Sequence, residues 1–98
     1  MLCIMATRLD PESFDAPSEL ETLEKRVMDA VRRECPGVTW HQSYAVMGHY
    51  DYIDVFDAPD LATAQRVSAL VRCHGRAHSE LWPAISWNVF EQTVADQP

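Results

Sequence analysis

The chain opens on Met1-Leu-Cys-Ile-Met-Ala-Thr7, a short apolar run followed by a polar stretch that holds Asp10-Pro11 and Ala16-Pro17. That run predicts a buried strand, since it is too short for a helix and each proline pushes its predecessor out of helical geometry. The period changes after Pro17. Leu20, Leu23, Val27, Ala30 and Val31 recur at helical steps and make one apolar stripe. Ser18-Glu-Leu-Glu21 has the form of a capping box, Glu19, Glu21 and Glu24 crowd the early turns, and Arg32 and Arg33 sit near the end, as the helix dipole favours. Pro36-Gly37 stops this helix. β-branched and aromatic residues dominate from Val38 to Met47 and from Tyr50 to Asp57, with Gly48-His49 between them as a tight hairpin turn. Ala58-Pro59-Asp60 then supplies a break and an N-cap for a second helix whose inner stripe is Leu61, Ala64, Val67, Ser68 and Val71, and Gly75 can end it in left-handed geometry. Ala77 to Leu81 predicts a last strand. Trp82 to Trp87, with the donor-less Pro83, reads as an edge extension or irregular tail, and Thr93 to Pro98 as a frayed end.

The resulting order, β-α-β-β-α-β, is the ferredoxin-like α+β pattern over a single domain, residues 1–98: a four-stranded antiparallel sheet with two helices on one face. The other face is uncovered. A second copy of the chain is the simplest cover for an exposed apolar sheet, so a homodimer is expected. With a two-residue turn, Met47 faces Tyr50, Ala45 faces Tyr52, Ser43 faces Asp54 and His41 faces Phe56. This parity assigns Trp40, Tyr44, Val46, Ile53 and Val55 to the helix side. His41, Ser43, Met47, Tyr50, Tyr52, Asp54 and Phe56 fall on the open side, joined by His78, Glu80 and Trp82 if Leu81 points at the helices.

An Asp within a buried strand is costly unless paired, hydrated or used, which singles out Asp54. Asp54, His78 and Glu80 form the catalytic candidates, with Asp54 or His78 as general base and Glu80 as acid or orienting partner. His41, Tyr50, Tyr52 and Trp82 are the ligand-binding candidates, the tyrosines as donors to a developing oxyanion. In the usual strand order β1 separates Asp54 from His78 and Glu80 by about 10 Å of backbone, so the three would converge only around a ligand. Three readings stay open: a small-molecule cavity between facing sheets, as in a cofactor-independent oxygenase or isomerase; a non-catalytic binding or assembly module in which Asp54 and His78 merely pair; and a metal site using His78, Glu80, Asp54 and His41. His74 and His78 have the spacing of helical zinc ligands, but Gly75 intervenes and the intervening Glu of such a motif is absent. Cys73 and Cys35 read as small packed residues, His49 as a solvated turn residue, and Trp82 with Trp87 as closing a core or interface.

Composition narrows the partners. Eight Lys and Arg against fifteen Asp and Glu give a net charge of −7, which speaks against nucleic acid or an anionic membrane. No apolar run approaches the roughly 20 residues of a membrane span, and Met1 to Ala6 is too short for a signal-peptide core, so a cytoplasmic protein is expected. Cys3, Cys35 and Cys73 form no Cys-x-x-Cys pair, which predicts reduced thiols. There is no glycine-rich phosphate loop, nucleophile elbow or haem-attachment pair, and the residues name no cofactor.

Gly48-His-Tyr-Asp51, followed by a strand, Ala58-Pro-Asp60, Leu70-Val71, Gly75 and Ser79-Glu80, resembles the GYD domain family, named for its Gly-x-Tyr-Asp signature. The likeness covers about residues 38 to 90 and is weak before residue 35. It implies a ferredoxin-like fold of the dimeric α/β-barrel kind, with two sheets facing one another around a cavity. The family brings no catalytic residues to transfer. Similar barrels serve as monooxygenases, haem-degrading enzymes, isomerases and amino-acid sensors, so the architecture does not choose among them.

Overall fold

The computed structural model describes residues 1–10 and 17–96, with the side chains of Pro17 and Ser18 left aside. Its elements are β1 (Leu2–Leu9), α1 (Pro17–Glu34), β2 (Thr39–Ala45), β3 (Tyr52–Asp57), α2 (Leu61–His74), β4 (Ala77–Ala84) and α3 (Trp87–Ala95). The strands form one antiparallel sheet in the order β2-β3-β1-β4. This is the ferredoxin-like arrangement, with α1 and α2 on one face. The Ser18 capping contact lies outside the described residues, although α1 begins at Pro17 and places Ser18 within its first turn.

The core lies between that face and the helices. Cys3 and Met5 of β1, Phe56 of β3, Val27, Ala30 and Val31 of α1, and Ala64, Val67 and Val71 of α2 are all buried in one cluster. The expected α1 stripe is therefore inward, except that Leu20 stays 40% exposed at its N-terminal end. Asp60 caps α2 as expected, its carboxylate accepting from the Thr63 N–H at 2.7 Å. Gly75 ends α2 at φ −94°, not in left-handed geometry; Arg76 takes the positive φ, 48°. Space explains the glycine, because a Cβ there would lie 2.7 Å from the Val71 carbonyl oxygen and 3.1 Å from a Val27 methyl.

Two features of the β2–β3 hairpin depart from the parity argument. The strands are joined through 46–51 rather than a two-residue turn, with Gly48 at φ 136°, yet Ala45 still faces Tyr52 and Ser43 still faces Asp54. A bulge between Trp40 and Gln42 then brings Trp40, not His41, opposite Phe56, and the two rings stack at 5.2 Å. The faces are also reversed. Cys3, Met5 and Thr7 of the helix-facing row pair with Phe56, Asp54 and Tyr52, so these three look at the helices, while Ile53 and Val55 look outward. Phe56 decides this, since a fully buried phenyl ring outweighs two half-buried aliphatic side chains.

The C-terminal segment is more regular than its sequence suggests. β4 runs through Pro83, which is tolerated because β4 is an edge strand. Ser86 then caps α3 by accepting from Val89 N–H, and Thr93 to Ala95 are helical rather than frayed; residues 97 and 98 lie outside the described residues. No residue of α3 is buried. Among the described residues no helix is long and apolar enough to cross a membrane.

Candidate functional site

The hydrogen bonds of Asp51 explain why the Gly-x-Tyr-Asp segment matters to the fold. Its N–H donates to the Thr7 carbonyl and its carboxylate accepts from Leu9 N–H at 2.7 Å, tying the start of β3 to the end of β1. The preceding Tyr50 packs edge-on to Trp82, ring centres 5.9 Å apart, and to His49 at 5.0 Å. With its entry pinned, β3 holds Tyr52 and Asp54 towards α1, where a cavity of about 250 Å³ lies between that helix and the sheet.

Leu20, Leu23 and Val27 of α1, Trp40 of β2 and Val71 of α2 supply apolar walls, and Ser43, Tyr52, Asp54 and Glu24 supply the polar atoms. Asp54 is only 5% exposed. The Ser43 hydroxyl donates to Asp54 Oδ1 at 2.6 Å and itself accepts from the Trp40 indole N–H at 2.9 Å. Burial pushes the Asp54 carboxyl above the ordinary carboxylate range; the Ser43 bond draws it partly back, and the charge of Glu24 adds to the rise. Burial first, and then the Asp54 charge, pushes the Tyr52 phenol up to about 12. Tyr52 is thus a permanent donor at neutral pH, beside a carboxyl able to hold or release a proton. A donor and an acid–base group in one apolar pocket can polarise a carbonyl and move a proton next to it.

The other sequence candidates lie elsewhere. β4 pairs Glu80 with Ala6 and Trp82 with Ile4, which puts His78, Glu80 and Trp82 on the open face as expected. Asp54 is on the opposite face, so the sheet separates it from His78 and Glu80 and the three do not share a cavity. The same division splits the His78, Glu80, Asp54 and His41 metal set. Among the described residues no group of three or more His, Cys, Asp or Glu is arranged to hold a metal ion. His41, at the bulge, is exposed, with Nε2 2.6 Å from Asp57 Oδ2. That hydrogen bond holds the Asp57 carboxyl below its usual range. Of the ligand candidates, Tyr52 lines the pocket, whereas Tyr50 and Trp82 meet on the open face. Cys3 and Cys35 are buried, and burial pushes both thiols up, away from the reactive thiolate. Cys73 is exposed rather than packed.

Sequence reasoning missed Trp40 as a donor to Ser43 and missed Leu20 and Glu24 as pocket residues. A signal for Glu24 existed, since it lies four residues after Leu20 and three before Val27, which places this exposed carboxylate beside the inward stripe.

Solved structures share the fold, two of them as follows. A muconolactone isomerase superposes with a TM-score of 0.57 at 22% identity, covering 88% of this chain and 90% of its own. A putative antibiotic biosynthesis monooxygenase from Caulobacter crescentus CB15 superposes at 0.50 with 14% identity, over 87% of this chain and 90% of its own. No curated protein matches the chain in sequence. The GYD domain model matches residues 3–94, which takes in β1 and α1 as well as the segment that carries the signature. The chain, matched over nearly its whole length, belongs to the GYD domain family.

Proposed function

We propose that the domain binds a small organic molecule between α1 and the sheet and transfers a proton on it, in the manner of a cofactor-independent isomerase. One observation carries this reading: Asp54, almost fully buried, shares an apolar cavity with the Tyr52 phenol. In the step we assign, ionised Asp54 takes a proton from the carbon next to a carbonyl while Tyr52 donates to the enolate oxygen. Asp54, its proton free to exchange with solvent, then returns a proton to carbon, so atoms and electrons balance without an oxidant. A raised carboxyl pKa suits Asp54 as a base, because basicity rises with pKa. The two neighbours illustrate that this fold accommodates isomerase chemistry and, by its description, monooxygenase chemistry; their low identity assigns neither here.

The test is deuterium exchange at the acidic carbons of 2-tetralone in D₂O, followed by proton NMR. The wild-type chain should accelerate exchange, and Asp54→Asn should lose about 10²- to 10⁴-fold of that acceleration. Equal exchange by wild type and Asp54→Asn, with both folded, would reject the assignment.

A second reading rests on the open face, where His78, Glu80 and Trp82 lie. Leu2, Ile4, Ile53 and Val55 are half-buried there, and Trp82 is 42% and Tyr44 52% exposed. These apolar side chains share one sheet face with no helix over it, and a second copy of the chain can cover them. We infer a homodimer built on this face. Native mass spectrometry should show a dimer for the wild type and a monomer for Trp82→Glu; a wild-type monomer at micromolar concentration would overturn it.

A further inference from the structure

We infer that the pocket selects an uncharged molecule of one or two rings that carries a single carbonyl or hydroxyl end, and that it discriminates against carboxylates of the same shape. The inference rests on the proposed small-molecule pocket and concerns what that pocket admits.

Size sets the first limit. An apolar cavity of about 150 Å³ accommodates benzene, so about 250 Å³ leaves room for a ring with a fused neighbour or a few substituent atoms, and not for a nucleotide or an extended chain. The second limit is the distribution of polar atoms. Leu20, Leu23, Val27 and Val71 form an apolar wall, while the polar groups come from Ser43, Asp54, Tyr52 and Glu24. The Ser43 hydroxyl is already engaged, accepting from Trp40 and donating to Asp54. Glu24 is exposed to solvent, so Asp54 and Tyr52, the latter with the Thr7 side chain beside it, are left to meet a ligand, and they suit one carbonyl or hydroxyl.

Charge sets the third limit. Among the described lining residues none is Lys, Arg or His, and two are acids, Asp54 buried within and Glu24 exposed to solvent. An anionic ligand would lose its hydration, find no counter-charge and approach two carboxyl groups. The chain's net charge of −7 opposes its approach at longer range as well. A neutral ketone or phenol meets none of these penalties.

A matched pair of probes tests the inference on the full chain: 2-tetralone, and the carboxylate 1,2,3,4-tetrahydro-2-naphthoate. Binding is read at pH 7 from the Trp40 indole ¹H–¹⁵N resonance, because that ring lines the pocket. The ketone should shift the resonance saturably, with the carboxylate at least about tenfold weaker. Glu24→Gln combined with Asp54→Asn should close most of that gap, and the unliganded spectrum reports whether the variant is folded. Carboxylate binding as tight as the ketone's would overturn the selectivity while leaving the pocket reading intact. No shift with either probe would overturn the pocket reading, and the selectivity with it.

Discussion

Ser43 Oγ lies 2.6 Å from Asp54 Oδ1 across the β2–β3 pair, and the same hydroxyl accepts the Trp40 indole N–H at 2.9 Å. A buried carboxylate is thereby held by one short hydrogen bond whose donor is itself oriented by a ring of the core. Ser43→Ala should raise the Asp54 pKa further, because the bond that favours the ionised form is lost while burial remains. A ¹³C-NMR titration of the Asp54 carboxyl measures this; an unchanged or lower midpoint would contradict it. The variant should also lose about 1–2 kcal/mol of stability at neutral pH, where the charged group loses its donor.

Asp54 also makes stability depend on pH in a stated direction. Its folded pKa lies above the unfolded value, so the folded chain binds that proton more tightly. The contribution of this group is most favourable below the ordinary Asp range, near pH 4, and is lost as pH rises through the folded pKa. Asp54→Asn removes the charge penalty and keeps an acceptor for Ser43. It should therefore unfold at a higher temperature than wild type at pH 7, with the difference narrowing as pH falls towards 4. A lower unfolding temperature at pH 7 would show that the charge is better compensated than its surroundings indicate.

Asp51 should matter more for stability than for the pocket's chemistry. Asp51→Ala removes the acceptor for Leu9 N–H and frees the junction of β1 and β3. A cost of about 0.5–1.5 kcal/mol is expected, since the bond is exposed to water, lowering the unfolding midpoint by about 4–8 °C per kcal/mol at this chain length. Asp51→Asn, which retains an acceptor, should recover part of the loss. Unfolding curves for the two variants that coincide with wild type would remove Asp51 from the fold's supports.

Gly75 offers a steric test of the end of α2, where the helix's own last turn and Val27 of α1 close in. The added methyl of Gly75→Ala would meet the Val71 carbonyl oxygen at 2.7 Å, a backbone atom that cannot rotate away. A destabilisation of about 1–3 kcal/mol is expected, as for overpacking in a filled core, and denaturant unfolding would measure it. A neutral or stabilising result would mean that the helix end shifts freely.

The helix stripes, apart from Leu20 and Leu61, which stay exposed in the first turns, the Asp60 cap and the β-α-β-β-α-β order could be read along the chain because periodicity and capping are local properties. The Ser43–Asp54 pairing was legible for the same reason, since parity counts outward from the turn. Trp40 was expected on the helix side and is there, but only because the bulge turns it towards Phe56. α3 was missed, although Ser86 and the apolar spacing of Trp87, Phe90 and Val94 were present, because Pro83 suggested that regular structure had ended.

By itself, then, the sequence determined six of the seven elements, their order, the family and the singularity of Asp54. Which side of the sheet Asp54 occupies was decided only in three dimensions. Alternation along a strand divides residues into two sets without saying which set the helices cover, and β3 offered a plausible core on both: Ile53 with Val55, or Phe56 with Tyr52. Pairing with Cys3 and Met5 and stacking on Trp40 buried the Phe56 set. Asp54 went with it, into the pocket under α1 and away from His78 and Glu80, because a strand cannot turn one side chain over without turning the whole set.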